Sequence, residues 1–184
     1  MDLFAAIDTR SSAARLTEPV PGGAALTRIL EAAVRAPDHG HMAPWRFLVL
    51  QRESRNRLAD AVAQARLIRT PDATAEALEA ERQKILRAPM IILVACAAQL
   101  NHPKIPEIEQ VLAVGAAVQN LLLAAHALGY GAVWKTGPAA YDSFVKTAVG
   151  LKATDHIVAM VHVGTPLAVG PVRPPVLEGV VRHL

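Results

Sequence analysis

Apolar residues recur along this chain either at helical intervals or in short unbroken runs, and the difference predicts its elements. Leu3, Phe4 and Ile7 mark a short helix that stops at Thr9-Arg10-Ser11-Ser12. Leu26, Ile29, Leu30, Ala33 and Val34 share one helical face, so residues 24–35 form an amphipathic helix that Pro37 ends. Phe47-Leu48-Val49-Leu50 is too short for a helical period and predicts a strand. Leu58, Ala61, Val62 and Ala65 predict a helix over Arg55–Ile68, broken at Thr70-Pro71-Asp72. A second, charge-rich helix follows over Ala73–Leu86, its charges expected on a solvated face.

Met90–Ala97 is an unbroken apolar run, the pattern of a strand covered on both faces. Glu107–Leu128 is a long apolar helix with Gly129 just past its end. Gly131–Lys135 and His156–Val163 read as strands, and Asp142 caps a short helix over Ser143–Val149. Gly170–Pro175 is too rich in proline for regular structure. Val176–Leu184 is expected to be one further strand, paired with the sheet edge of a second subunit. The order of elements predicts one domain over 1–166, with about four strands flanked by helices, and an extension over 167–184.

Composition narrows the class. An apolar fraction of 52% in 184 residues supports a packed core and excludes general disorder. The net charge of +3 comes from scattered Arg and Lys without a basic run, and aromatics are 4% of the chain, so no nucleic-acid partner is expected. No formal charge lies between Gln110 and Trp134, yet Gln110, Gln119, Asn120 and His126 punctuate the segment. It is expected to be a core helix, with no membrane span. The single Cys96 sits in an apolar run and is expected to be a reduced core residue. The N-terminal MDLFAAIDTR lacks the basic-then-apolar order of a secretion signal, and a cytoplasmic protein is expected.

The densest chemistry is Arg35–Trp45, RAPDHGHMAPW, at a helix-to-strand turn. Asp38, His39 and His41 could ligate a metal there, but no complementary ligand pair stands elsewhere in the chain, and no metal is expected. No GxSxG, GxGxxG or GxxxxGK[ST] occurs, which leaves hydrolase triads and the common phosphate loops unsupported. A dispersed anion site fits better. Arg10, Ser11 and Ser12 stand at one helix end, Arg35 and His39 at another, and Trp134-Lys135-Thr136-Gly137 at a strand end. A cofactor with a phosphate and a flat ring would use such parts.

The sequence R-S-S-A-A-R-L, then L-x-x-I-L-x-A-A-x-R-A-P-D-H and A-P-W-R-F, then G-x-x-W-K-T-G, resembles the FMN-dependent nitroreductase family, most closely its minimal, YdjA-like branch. The resemblance runs from Met1 to about Pro166. It implies an α+β nitroreductase-like fold with a mostly antiparallel sheet, and a homodimer with FMN at the interface. Arg10, Ser11 and Ser12 match the phosphate and ribityl segment. Arg35 and His39 match positions that reach a flavin from the partner chain. Trp134, Lys135, Thr136 and Gly137 match the segment beside the isoalloxazine. Ala124, Ala125, His126, Ala127, Leu128 and Gly129 match a stretch that some members use for nicotinamide. Ser11 and Lys135 depart from the branch, where Arg is commoner at both.

The implied activity is hydride transfer from NAD(P)H through FMN to a nitroaromatic, quinone or similar electron-poor acceptor. The flavin carries the chemistry, so no side-chain catalytic residue is expected. Two other classes fit the residues: a flavin-binding or sensing module with little turnover, and a metal-dependent hydrolase built on Asp38, His39 and His41.

Overall fold

The computed structural model describes residues 1–182. Its organising element is the strand Met90–Cys96, β3 in chain order, in which all seven side chains are fully buried. Alternate residues of a strand point to opposite faces. Met90, Ile92, Val94 and Cys96 enter one core and Ile91, Leu93 and Ala95 another, so helices must cover both faces.

The first face carries helices α1 (Leu3–Thr9), α2 (Gly23–Ala33) and α5 (Glu107–Ala127). The second carries α3 (Arg52–Arg69), α4 (Ala75–Leu86) and α6 (Ser143–Ala148), the last capped by Asp142 as its sequence predicts. The other strands are β1 (Leu16–Thr17), β2 (Trp45–Gln51), β4 (Gly131–Lys135) and β5 (His156–Pro166). β3 pairs with β2 and β5, while β5 also pairs with β4 and, at its C-terminal end, with β1, every pair antiparallel. Five strands thus form where about four are expected. The addition is the two-residue β1, too short to leave a period in the sequence. An extra residue of β5, Val158, bulges opposite the Val94/Ala95 step. The bulge restores the alternation, sending Ala159, Val161 and Val163 to the α5 core and Met160 to the α3 core.

α5 is long and apolar enough to cross a membrane by length and composition alone. Its polar residues instead have tertiary partners. Buried Gln110 accepts from Gln99 N at 2.9 Å and donates to Gln99 O and Ile105 O. Asn120 donates to Ala32 O of α2, and His126 Nε2 meets Thr9 Oγ1 of α1 at 2.8 Å. Val114, Ala117, Val118, Leu121 and Ala125 are fully buried against the sheet. The sequence predicts a helix buried as a whole. One side stays open, however, with Ile108 60% and Leu112 63% exposed.

Residues 167–182 hold no strand; the chain runs irregularly to a turn at 178–180. The strand expected over Val176–Leu184 does not form within this chain as far as residue 182, and His183 and Leu184 lie outside the described residues. Cys96 is a free, buried thiol, pushed up to about 11 by burial and by the neighbouring carboxylates of Asp155 and Glu107.

Two positions give measurable expectations. At Gly131 a Cβ would come within 2.8 Å of Leu16 Cδ2 and 2.9 Å of Ala13 and Pro166 Cβ. Gly131→Ala is expected to cost about 1–3 kcal/mol in urea denaturation, because three packed groups must move; unchanged stability would show that the site relaxes freely. His162 of β5 is 2% exposed and is lowered to about 4 by burial and by the charges of Lys135, Arg55 and Arg87. The unfolded chain takes up this proton near pH 6.5 and the folded chain resists it. The stability attached to neutral His162 is therefore complete above about pH 6.5 and lost as pH falls toward 4, by about 2–3 kcal/mol. His162→Phe should flatten that limb of a stability–pH profile; an unaltered profile would refute the assignment.

Candidate functional site

The segment Arg10–Ala13 runs beside β4. Ala13 N donates to Ala132 O at 3.1 Å, and Ser12 forms a parallel bridge with Ala132. Two of the three turns singled out in the sequence, far apart along the chain, thus stand at opposite ends of one strand, Arg10–Ser12 beside its start and Lys135–Gly137 at its end. The bare Cα of Gly131 permits the approach.

β4 connects two cavities. At its start, a cavity of about 260 Å³ is lined by Arg10, Ser11, His126, Gly129, Tyr130 and Gly131, among others. Of the helix-end stretch 124–129, His126 and Gly129 reach this cavity, while Ala125 is fully buried in the core. Gly170 of the tail packs closely on Ser11 and Ser12. At the end of β4, on the other face of the sheet, a cavity of about 560 Å³ is lined by Lys135, Thr136 and Gly137. Gly137 has φ +81°, with open space where a Cβ would sit, so its backbone faces the volume uncovered. Trp134 lines neither cavity; its Nε1 donates to Val158 O at 3.0 Å.

The larger cavity holds a group of charges that the helical pattern alone would assign to solvent. Glu81 and Lys84 of α4, and Arg87 just beyond it, line the volume together with Arg66 and Arg69 of α3. Glu81 ion-pairs with Arg66 across the two helices and with Lys84 at 2.8 Å. Burial opposes its charge, but the hydrogen bonds from Lys84 and Arg66 outweigh it and hold its carboxyl below the usual range. Arg69 pairs with Asp142. That leaves Arg87 and Lys135 without ion-pair partners among the described residues. Burial first, and then the charge of Arg87, lowers Lys135 from its ordinary value. His162 and Met160 complete the sheet side. The alternating charges of α4 look solvated because the sequence does not show that α3 folds back on its inner side. His162 gives no signal beyond one polar residue in a strand.

The Arg35–Trp45 turn closes on itself. Asp38 Oδ2 accepts from Ala43 N at 2.7 Å, His39 Nδ1 donates to Glu109 at 2.6 Å, and Arg46 donates to Ala43 O and Trp45 O. His41 and Ala43 hold φ of 53° and 45°, a conformation that costs side-chain-bearing residues about 1–3 kcal/mol each. Arg35 and His39 are exposed and line neither cavity. Asp38, His39 and His41 do not converge, and no group of three metal-ligating side chains stands together among the described residues. The hydrolase alternative thus finds no metal site among the described residues.

The fold and these segments have known counterparts. The profile of the nitroreductase family matches residues 10–165. The provisionally named NAD(P)H nitroreductase YdjA of Escherichia coli (strain K12) is 38% identical over 90% of this chain and 89% of its own. A nitroreductase-like family protein from Bacillus cereus superposes with a TM-score of 0.82 at 26% identity, covering 100% of this chain and 96% of the other. A provisionally named nitroreductase from Desulfovibrio desulfuricans, solved in complex with FMN, gives 0.76 at 29% identity, covering 98% and 95%. With the antiparallel sheet and the paired Arg10–Ala13 and β4 segments in place, the chain belongs to the nitroreductase family of oxidoreductases.

Proposed function

We propose that the protein is an FMN-dependent oxidoreductase that takes hydride from NAD(P)H and reduces nitroaromatics, quinones or similar electron-poor acceptors. One observation carries the reading: a cavity of about 560 Å³ in which uncovered backbone at Lys135–Gly137 faces a surplus of cations. Its size falls within the usual range for small-molecule sites. The residues fit a flavin. Met160, Val62 and Ile85 give apolar surface for a ring, and the Gly137 backbone meets a polar edge without steric hindrance. Arg10 and Ser11 supply phosphate donors in the smaller cavity, at the other end of β4 and apart from the cavity proposed for the ring. Relatives named for NAD(P)H and a structural neighbour solved with FMN support the same assignment.

FMN, when bound, supplies the hydride chemistry. The chain supplies position and charge. Lys135, already inclined to lose its proton, places a cation at the strand end where negative charge is to be accommodated. The Arg66–Glu81–Lys84 network fixes the opposite wall. Of the stretch 124–129 proposed for nicotinamide, His126 and Gly129 line the smaller cavity, which supports a role for those two.

Arg35 and His39 reach neither cavity of their own chain, which supports a role toward the flavin of a partner. The open stripe on α5 and Leu3 and Phe4 of α1, 63% and 73% exposed, support a homodimer. The tail is proposed to pack on that partner, and a cytoplasmic location suits the single reduced cysteine.

Purified protein is expected to be yellow, or to gain flavin absorbance with added FMN, and to bleach when mixed anaerobically with NADH or NADPH. A colourless protein that gains nothing from FMN would overturn the reading, and a flavoprotein that neither nucleotide reduces would be a binding module. Arg35→Ala should weaken FMN retention about 10- to 100-fold, the usual loss for a charge-assisted hydrogen bond. A monomer that holds FMN at full affinity would remove the cross-subunit role.

A further inference from the structure

The larger cavity contains a buried ring that no side-chain hydrogen bond engages among the described residues. The His162 ring, with the residue only 2% exposed, lines the cavity wall. No side-chain hydrogen bond reaches it among the described residues. Arg55 Nε is the only sealed side-chain nitrogen or oxygen lacking a partner among them, so the His162 ring, which also lacks one, must open onto the cavity. A buried polar group left this way costs stability unless a ligand completes it.

Three cations face it from separate elements. Lys135 approaches from β4, Arg55 from α3 and Arg87 from beyond α4. Arg66 and Lys84 also line the cavity but share Glu81, and Arg69 is neutralised by Asp142. The two unpaired cations, Lys135 and Arg87, therefore line the same cavity as the unpaired histidine.

We propose that Lys135, Arg87 and His162 form an anion subsite for the acceptor, which selects electron-poor aromatics bearing a carboxylate or phenolate and binds them with uptake of one proton on His162. The proposal rests on the larger cavity being where the acceptor is reduced. A bound anion offsets the charges of Lys135 and Arg87 and accepts a hydrogen bond from the ring. The proton comes from solvent, no bond to carbon changes, and the cavity gains one negative and one positive charge together. Without the anion, burial first and then the same cations hold His162 well below its ordinary value, so the ring is neutral near pH 7. An opposite charge at hydrogen-bond distance raises such a group by about one to three on the pH scale, which brings His162 to about pH 5–7. His162 is thus a specificity-determining residue: neutral acceptors leave its ring unprotonated, and anionic ones draw the proton in.

Titration calorimetry at about pH 5.5, in two buffers of unlike ionisation heat, counts the protons taken up. The probes are 4-nitrobenzoate and uncharged 4-nitrobenzyl alcohol, added to protein with and without FMN. Wild type should take up roughly half to one proton per 4-nitrobenzoate and none with the alcohol. It should bind 4-nitrobenzoate about three- to five-fold tighter at pH 5.5 than at pH 8, while the alcohol shows no such change. His162→Gln should bind 4-nitrobenzoate without proton uptake. Arg87→Gln, which keeps His162, should weaken 4-nitrobenzoate about ten-fold or more and spare the alcohol. Equal proton counts for the two probes, or uptake that survives in His162→Gln, would overturn the proposal. If His162→Gln fails to fold, the His162 ring signal of the wild type in nuclear magnetic resonance decides instead, since it must titrate higher with 4-nitrobenzoate and not with the alcohol. FMN absorbance in the same samples reports separately on the flavin, so failure of the subsite and failure of the flavin assignment give different results.

Discussion

A strand with no polar side chain on either face has to be covered twice. Each of the seven residues of β3 is fully buried, and the two faces feed two separate cores. At roughly 1.5–3 kcal/mol for each large side chain removed from water, neither face can be left open. α2 and α5 close one and α3, α4 and α6 the other. The larger cavity lies where the C-terminal parts of α3 and α4 meet the end of β4. The site is thus a place where the covering of the sheet leaves a gap.

That origin explains the chemistry of the cavity. Along β3 and β5 the sheet side is apolar except for His162, because the other side chains pointing that way are core residues, while β4 adds Lys135 at its end. The other charges come from the ends of α3 and α4, where each helix turns its polar flank toward the gap. Desolvation raises the value of each charge there and penalises any that lacks a partner. Glu81 meets the penalty with two cations, whereas Lys135 yields by easier loss of its proton.

The sequence shows the helices and the larger strands because their apolar periods are long enough to read. Residues 24–35 and Met90–Ala97 correspond closely to α2 and β3, and Asp142 announces α6 through its side chain. Arg10–Ser12 and Lys135–Gly137 are legible as polar groups at element ends, and the fold sets both beside β4. β1 and the charged cavity wall are not legible, since both depend on contacts between distant segments. Glu81 and Lys84 have the same spacing as a solvated ion pair on any helix. Their role comes from Arg66, which reaches them from another helix. The exposed side of α5 is missed for a related reason: composition registers apolar content but not which flank has a neighbour.

The Arg66–Glu81 contact also has a mechanical side. It ties α3 to α4 at the mouth of the larger cavity, and Lys84 shares the same carboxylate oxygen. An anion that takes Arg66 for itself must first break this clamp between the two helices. The width of the cavity and its charge are consequently not independent settings. A ligand that captures Arg66 thereby also loosens the tie between α3 and α4, and one that leaves Arg66 alone leaves the tie in place.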